Sequence, residues 1–216
     1  MFVYLPSCNF TATCPQASKW MKDYLAQKPD VKVAGCCRPT QKTLTADDTV
    51  LSICLTCSAI THEVSPQAGE ESLWEYLLTD ESFPWPDYHG EEMVIQDCWR
   101  ARNKPAMQHA VRECMKRMNI VPIELEENFE KTRFDGVWLY NPVAQKNLDI
   151  APKYFNHIRD NDVELIPPEE QKARMVEWAK QYGDRRVVTY CTACLKGTLL
   201  GGAKGVHLMQ LMTRTL

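Results

Sequence analysis

Of the ten cysteines in this chain, five are set out as Cys8, the adjacent pair Cys36-Cys37, and Cys54-Leu-Thr-Cys57. Thiolates are soft ligands that select zinc or iron–sulfur clusters over hard cations. Adjacent cysteines rarely form a disulfide with each other, because the bond needs a specific separation and dihedral angle. A single tetrahedral zinc needs only four ligands, whereas a polynuclear iron cluster can use all five. Zinc remains open as an alternative, with Cys54 and Cys57 joined either by two of the other thiolates or by His62.

Further along lie three more sulfurs of the same character, Cys98 and the pair in Cys191-Thr-Ala-Cys194. Asp135 can supply a fourth ligand, since a carboxylate oxygen is an acceptable zinc donor. The alternatives are packed, reduced thiols, or a Cys191/Cys194 redox dithiol governed by its potential against its surroundings. Cys114 falls on the apolar stripe of a helix and reads as core. Cys14 stands at a helix start, where the dipole lowers a thiol pKa. Arg100 and Arg102 follow Cys98 closely and suit either an anionic group or a solvated helix flank. The run Leu200-Gly-Gly-Ala-Lys-Gly205 lacks a phosphate-binding fingerprint and reads as a turn.

Composition narrows the setting. With 44% hydrophobic and 25% charged residues over 216 positions, the chain can bury a sizeable core. A net charge of −3 offers no field that would favour nucleic acid or an anionic membrane surface. No stretch of about 20 apolar residues predicts a membrane span. The opening run Met-Phe-Val-Tyr-Leu-Pro-Ser-Cys lacks the basic start and apolar core of a signal peptide, so the expected location is cytoplasmic. Thiols stay reduced there, which favours metal or redox roles over a disulfide framework.

The elements that must position these sulfurs occur twice. The break at Phe83-Pro-Trp-Pro-Asp-Tyr-His-Gly90 separates residues 1–83 from residues 91–216. Each side opens with a short β-prone run ending near a cysteine: Phe2–Leu5 before Cys8, and Met93–Gln96 before Cys98. Each continues with a proline-initiated amphipathic helix, from Pro15 and from Pro105. Second strands are predicted at Val31–Ala34 and Val121–Leu125. Third strands, Thr49–Ile53 and Arg186–Tyr190, run straight into the two Cys-x-x-Cys motifs. Helical residues follow at Leu73–Leu77 and Leu208–Met212. The second half also carries an insertion from Asn141 to Asp184, with a helix expected at Glu169–Tyr182. This alternation predicts an α/β protein of two pseudo-repeated halves, each a small parallel sheet flanked by helices.

A lone cysteine after a first strand, an adjacent pair, then Cys-x-x-Cys, in two copies, resembles the cysteine-rich CCG domain family, the iron–sulfur module of heterodisulfide reductase B subunits. Cys8, Cys36-Cys37 and Cys54/Cys57 match that order, with Arg38 where the family has Gly. In the second half Asp97-Cys98 resembles the opening motif, Glu127–Lys131 the acidic stretch, and Cys191/Cys194 the closing motif. Phe134-Asp135 stands where the pair belongs, with Gly136 retained. The resemblance implies a noncubane [4Fe-4S] cluster on Cys8, Cys36, Cys37, Cys54 and Cys57, and reduction of a thiol disulfide or related substrate. No flavin fingerprint is present, so electrons would come from a partner protein carrying flavin or iron–sulfur centres. A zinc-bound or metal-free binding module on the same scaffold is the alternative.

Overall fold

The structure, a computed structural model, describes residues 1–215. It is mixed α/β and is built from two similar compact units. Among the described residues, unit 1 comprises 1–76 and 142–163, and unit 2 comprises 77–141 and 164–215.

The chain begins with β1 (Phe2–Leu5), α1 (Cys8–Thr13), α2 (Pro15–Leu25), β2 (Val31–Val33), α3 (Cys37–Gln41), β3 (Thr49–Ser52), α4 (Leu55–Val64), β4 (Gly69–Ser72) and α5 (Leu73–Thr79). The four strands form a fully parallel sheet in the order β2-β1-β3-β4. Register pairs Phe2 with Val31 on one side and with Thr49 on the other, and Thr49 with Gly69. A parallel sheet covered on both faces requires strands that are apolar throughout, not alternating. The central strands follow this in their middles: Val3, Tyr4 and Leu5 in β1 and Val50 and Leu51 in β3 are buried, with the buried polar Ser52 ending β3. Each fully buried Val or Leu adds roughly 1.5–3 kcal/mol.

The second unit repeats the plan with β5 (Glu91–Ile95), α6 (Pro105–Arg117) and β6 (Ile120–Ile123). Helices α7 (Gln145–Leu148) and α8 (Pro152–Asn161) belong to unit 1. There Glu63 of α4 accepts the Lys153 and Tyr154 amides at the start of α8, at 2.9 and 2.8 Å. Unit 2 resumes with α9 (Pro168–Ala179), β7 (Arg186–Thr189), α10 (Thr192–Leu200), β8 (Lys204–His207) and α11 (Leu208–Thr213). Its sheet, again fully parallel, has the order β6-β5-β7-β8. The α6 stripe of Met107, Val111, Cys114 and Met115 is buried, so Cys114 is core. The expected helix at Glu169–Tyr182 forms as α9 followed by a 3-10 turn over Lys180–Tyr182.

The run Leu200–Gly205 is a turn only in its middle. Leu200 closes α10, and Lys204-Gly205 opens β8, an edge strand. Gly205 is needed there because a Cβ would meet Thr198 Oγ1 at 2.3 Å. No described helix is long and apolar enough to cross a membrane.

The end of β8 yields a pH-sensitive contact. The buried His207 caps α11, its Nδ1 accepting the Met209 amide at 3.2 Å while Gln210 Oε1 accepts the His207 amide at 3.1 Å. Burial holds the imidazole down at about 4. Because the folded value lies below the unfolded one near 6.5, the stabilisation is full above about pH 6.5 and is lost as pH falls through about 4. His207→Asn retains a capping oxygen without the titration. Urea unfolding at pH 7 and at pH 4.5 should show the stability difference between the two proteins moving toward the variant by about 1–3 kcal/mol on acidification. An unchanged difference would exclude His207 as the group responsible.

Candidate metal centres

In both units the sheet topology reverses between the first and third strands. From β1 the chain crosses to β2 on one side, then returns over β1 to place β3 on the other; β5, β6 and β7 do the same. In open parallel sheets the crevice at the carboxyl ends of such a strand pair is where ligands gather. Cysteines flank both crevices at equal offsets. Cys8 and Cys98 each lie three residues beyond the first strand, after Leu5 and Ile95; Cys54 and Cys191 each lie two beyond the third, after Ser52 and Thr189.

Beyond the third strand each Cys-x-x-Cys opens a helix. Cys54 is the N-cap of α4 and Cys191 the N-cap of α10, so Cys57 and Cys194 follow within the first turn on the same face. A helix N-terminus carries partial positive charge and favours thiolates or the ligands of an anionic centre. In unit 1 the adjacent pair arrives in the same way, with Cys36 capping α3 and Cys37 as its first residue. Cys8 is presented by a tight turn in which Ser7 takes φ 61° and its hydroxyl accepts the Phe10 amide at 3.2 Å.

These placements link the five unit 1 thiols in one run. Cys8 is within hydrogen-bonding reach of Cys36, Cys36 of Cys37, Cys37 of Cys57, and Cys57 of Cys54. The run opens to solvent at one end: Cys8 is exposed, Cys36 and Cys54 are half-buried, and Cys37 and Cys57 are buried. The hydrogen bond from Cys57, aided by Arg38 and opposed by burial, brings the Cys37 thiol down to about 7, whereas Cys57 is pushed well up by its bonds to Cys37 and Cys54. Burial and the neighbouring Cys36 raise Cys8. Arg38 lies in the first turn of α3 and donates from Nη2 to Asn147 Oδ1 at 2.6 Å. A helical position does not need glycine, which explains how arginine fits there. His62 is exposed in the last turn of α4.

Unit 2 gathers its donors more tightly. The Sγ atoms of Cys98, Cys191 and Cys194 and a carboxylate oxygen of Asp135 all lie within 4.8 Å of one another. Such a set can hold a metal ion. All four residues are buried, at 1, 5, 0 and 3% exposure for Cys98, Cys191, Cys194 and Asp135. Cys98 Sγ donates to Asp135 Oδ1 at 3.0 Å. Arg100, buried over the Trp138 ring, places Nε 3.0 Å from Asp135 Oδ2 and Nη2 3.3 Å from Cys191 Sγ. Burial raises the Asp135 carboxyl to about 7 against the pull of Arg100. Cys191 is held well below its ordinary value by hydrogen bonds from Cys194 and Cys98, whereas burial pushes those two well up.

The Asp135 loop can reach the sulfurs because two glycines let it. Gly136 takes φ 57°, and a Cβ there would lie 2.0 Å from the Ala193 carbonyl oxygen. One turn along α10, a Cβ on Gly197 would lie 2.4 Å from the Gly136 Cα. Loop and helix therefore touch backbone to backbone, and the glycine retained beside the missing cysteine pair has a steric reason.

Comparison of the chain with protein-family models, with curated proteins and with solved structures finds no match. The roles of these residues accordingly rest on geometry.

That geometry adds residues the sequence reading passed over. Asp97, fully buried beside Cys98, receives Arg112 at both oxygens (3.2 and 2.8 Å), the Tyr190 hydroxyl at 2.8 Å and the Phe129 amide at 2.8 Å. Tyr190 Oη in turn accepts the Cys98 amide at 3.2 Å, tying the residue before Cys191 to Cys98 itself. Arg112 also binds Glu124 through Nε and Nη2 and lies 3.8 Å over the Phe129 ring. An arginine on the apolar face of α6, beside Gln108, was the available signal. Arg112→Met would leave Asp97 as a buried charge without its guanidinium, which typically costs about 3–5 kcal/mol. Denaturant unfolding should report a loss of that size, and a loss below about 1 kcal/mol would mean that Tyr190 and the Phe129 amide satisfy Asp97 without the guanidinium.

Proposed function

We propose that unit 1 carries a polynuclear iron–sulfur cluster, a noncubane [4Fe-4S] form by its resemblance to the CCG family, on Cys8, Cys36, Cys37, Cys54 and Cys57. On this reading the chain is a redox protein similar to heterodisulfide reductase B subunits, reducing a thiol disulfide or related substrate with electrons from a flavin or iron–sulfur partner protein. The observation that supports it is the unbroken run of five thiols, buried at Cys37 and Cys57 and open at Cys8. A donor set of sulfur alone, more numerous than one tetrahedral ion needs, fits a cluster better than a single zinc.

When bound, such a cluster supplies one-electron chemistry to a sulfur substrate that reaches it. The chain's own residues prepare the site for that. Helices α3 and α4 aim their N-termini at it, and Arg38 adds a full positive charge that favours thiolate at Cys37. Both offset the negative charge that several thiolates bring together. The Arg38 Nε is buried without an acceptor, so its charge is not quenched by a carboxylate on that side. Exposure at Cys8 leaves one approach for substrate, as catalytic centres require, whereas a purely structural site is closed on all sides.

A second reading, a zinc-bound or metal-free module without catalysis, is favoured by the buried Cys/Asp set of unit 2, which leaves no such approach. Metal analysis separates the two. Anaerobic purification should yield about four irons with matching acid-labile sulfide per chain, lost in Cys36→Ser or Cys37→Ser; sulfide-free protein would eliminate the cluster. Catalysis needs its own assay: reduced, cluster-loaded protein that leaves a panel of small thiol disulfides uncleaved, given a competent electron donor, would retain the cluster and remove the reductase.

A further inference from the structure

Unit 2 differs from unit 1 in the number, kind and exposure of its donors, and those differences point to another ligand. Three sulfurs and one carboxylate are too few for the five-thiolate arrangement. As a tetrahedral set they are complete. With metal–sulfur bonds near 2.3 Å, neighbouring ligand atoms of a tetrahedral zinc stand roughly 3.8 Å apart. The four donors already lie within 4.8 Å of one another, so rotations of about an ångström at the side-chain tips would close the shell.

We propose that Cys98, Asp135, Cys191 and Cys194 bind one mononuclear zinc ion as a closed, structural site, with Arg100 as its fixed charge partner. This inference is independent of the cluster reading for unit 1. Three thiolates and a carboxylate carry four negative charges; the ion returns two and Arg100 a third, leaving one. That residue of charge sits at the N-terminus of α10, whose dipole opposes it. Without an ion, unpaired ionised groups are costly in a pocket shielded from solvent, so the free Cys98 and Cys194 thiols keep their protons and an entering metal displaces them.

Several independent features mark the site as built. The Arg100 side chain is itself 4% exposed and touches two of the four donors. Gly136 and Gly197 are both required by the close approach that brings Asp135 to the sulfurs. Tyr190 and Asp97 fix the backbone at Cys98. A redox dithiol at Cys191 and Cys194 fits less well, because exchange requires a partner thiol to reach a sulfur, and both are buried. Closure on every side is what distinguishes a structural zinc site from a catalytic one.

The test uses the full chain and reads zinc rather than activity. In Cys36→Ser/Cys37→Ser protein, elemental analysis after anaerobic purification should still find about one zinc per chain, whatever happens to iron and sulfide. Loss of zinc in that variant would move it to unit 1 and overturn the proposal, as would iron in place of zinc. Since removing a buried ligand can also unfold the unit, two further measurements avoid that route. Cobalt(II) added to chelator-stripped protein should give the intense visible bands of a tetrahedral thiolate complex; weak octahedral absorption, or no binding to protein whose circular dichroism is intact, would overturn it. Arg100→Met, which leaves all four donors in place, should weaken zinc binding by about 10–100-fold, the usual effect of removing a group that orients and balances metal ligands. Asp135→Cys should restore zinc stoichiometry that Asp135→Ala loses.

Discussion

The structure depends on one topological constraint: in each parallel sheet the chain reverses its winding between the first and third strands. Helices packed on the two faces cannot both continue across that point, so the strand ends diverge into a crevice lined by loop residues and helix N-termini. A residue three positions after the first strand and another two positions after the third must then face the same gap. Cys8 with Cys54, and Cys98 with Cys191, occupy those positions. The four-strand order, repeated without change, places cysteines distant in sequence at the same end of each sheet before any side chain contributes energy.

What fills the gap is decided by the loop after the second strand. In unit 1 that loop folds into α3, whose first turn carries Cys36, Cys37 and Arg38; the turn is ordinary helix, so a bulky charged residue is tolerated after the pair. In unit 2 the corresponding Phe134-Asp135-Gly136 stays non-helical and presses against α10, which only glycine allows at φ 57°. Phe134 stacks on Trp178 at 5.2 Å, filling the volume with an aromatic ring, while Asp135 offers an oxygen donor. One crevice therefore stays open at an exposed sulfur, and the other is sealed. A cationic side chain stands beside each: Arg38 reaches Asn147 on one side, and Arg100 binds Asp135 and Cys191 on the other.

Much of this was legible in the residues. Strands buried on both faces read as short apolar β-prone runs, and β1, β3, β5 and β7 were found for that reason. The proline-initiated helices α2 and α6 carry a clear apolar stripe and were found too. The fourth strands were missed because Gly-Glu-Glu-Ser and Lys-Gly-Val-His lie at sheet edges, where half-exposed backbone tolerates polar and glycine residues of low strand propensity. Helices α4 and α10 were not read as such because they are buried without a distinct stripe and are rich in small and β-branched residues. The four donors of unit 2 could be named from motif positions, but their convergence could not. It depends on the Gly136–Gly197 approach, which joins residues far apart in the chain.

The buried ion network behind Cys98 shows why the sealed site needs a rigid support. Asp97 is satisfied from Arg112, Tyr190 and the Phe129 amide, and Arg112 from Asp97, Glu124 and the Gln108 carbonyl. A buried pair of this kind contributes little net stability against an apolar replacement, because desolvation offsets the attraction. Its contribution is positional: each hydrogen bond has one geometry, and Tyr190 transmits that geometry to the amide of Cys98 from the residue just before Cys191. An apolar core could have held β5 and β7 together as firmly, yet it would have left the cysteine loops free to shift relative to each other. Where donor atoms must stand within an ångström of a ligand shell, directional bonds at the strand ends accomplish what dispersion cannot.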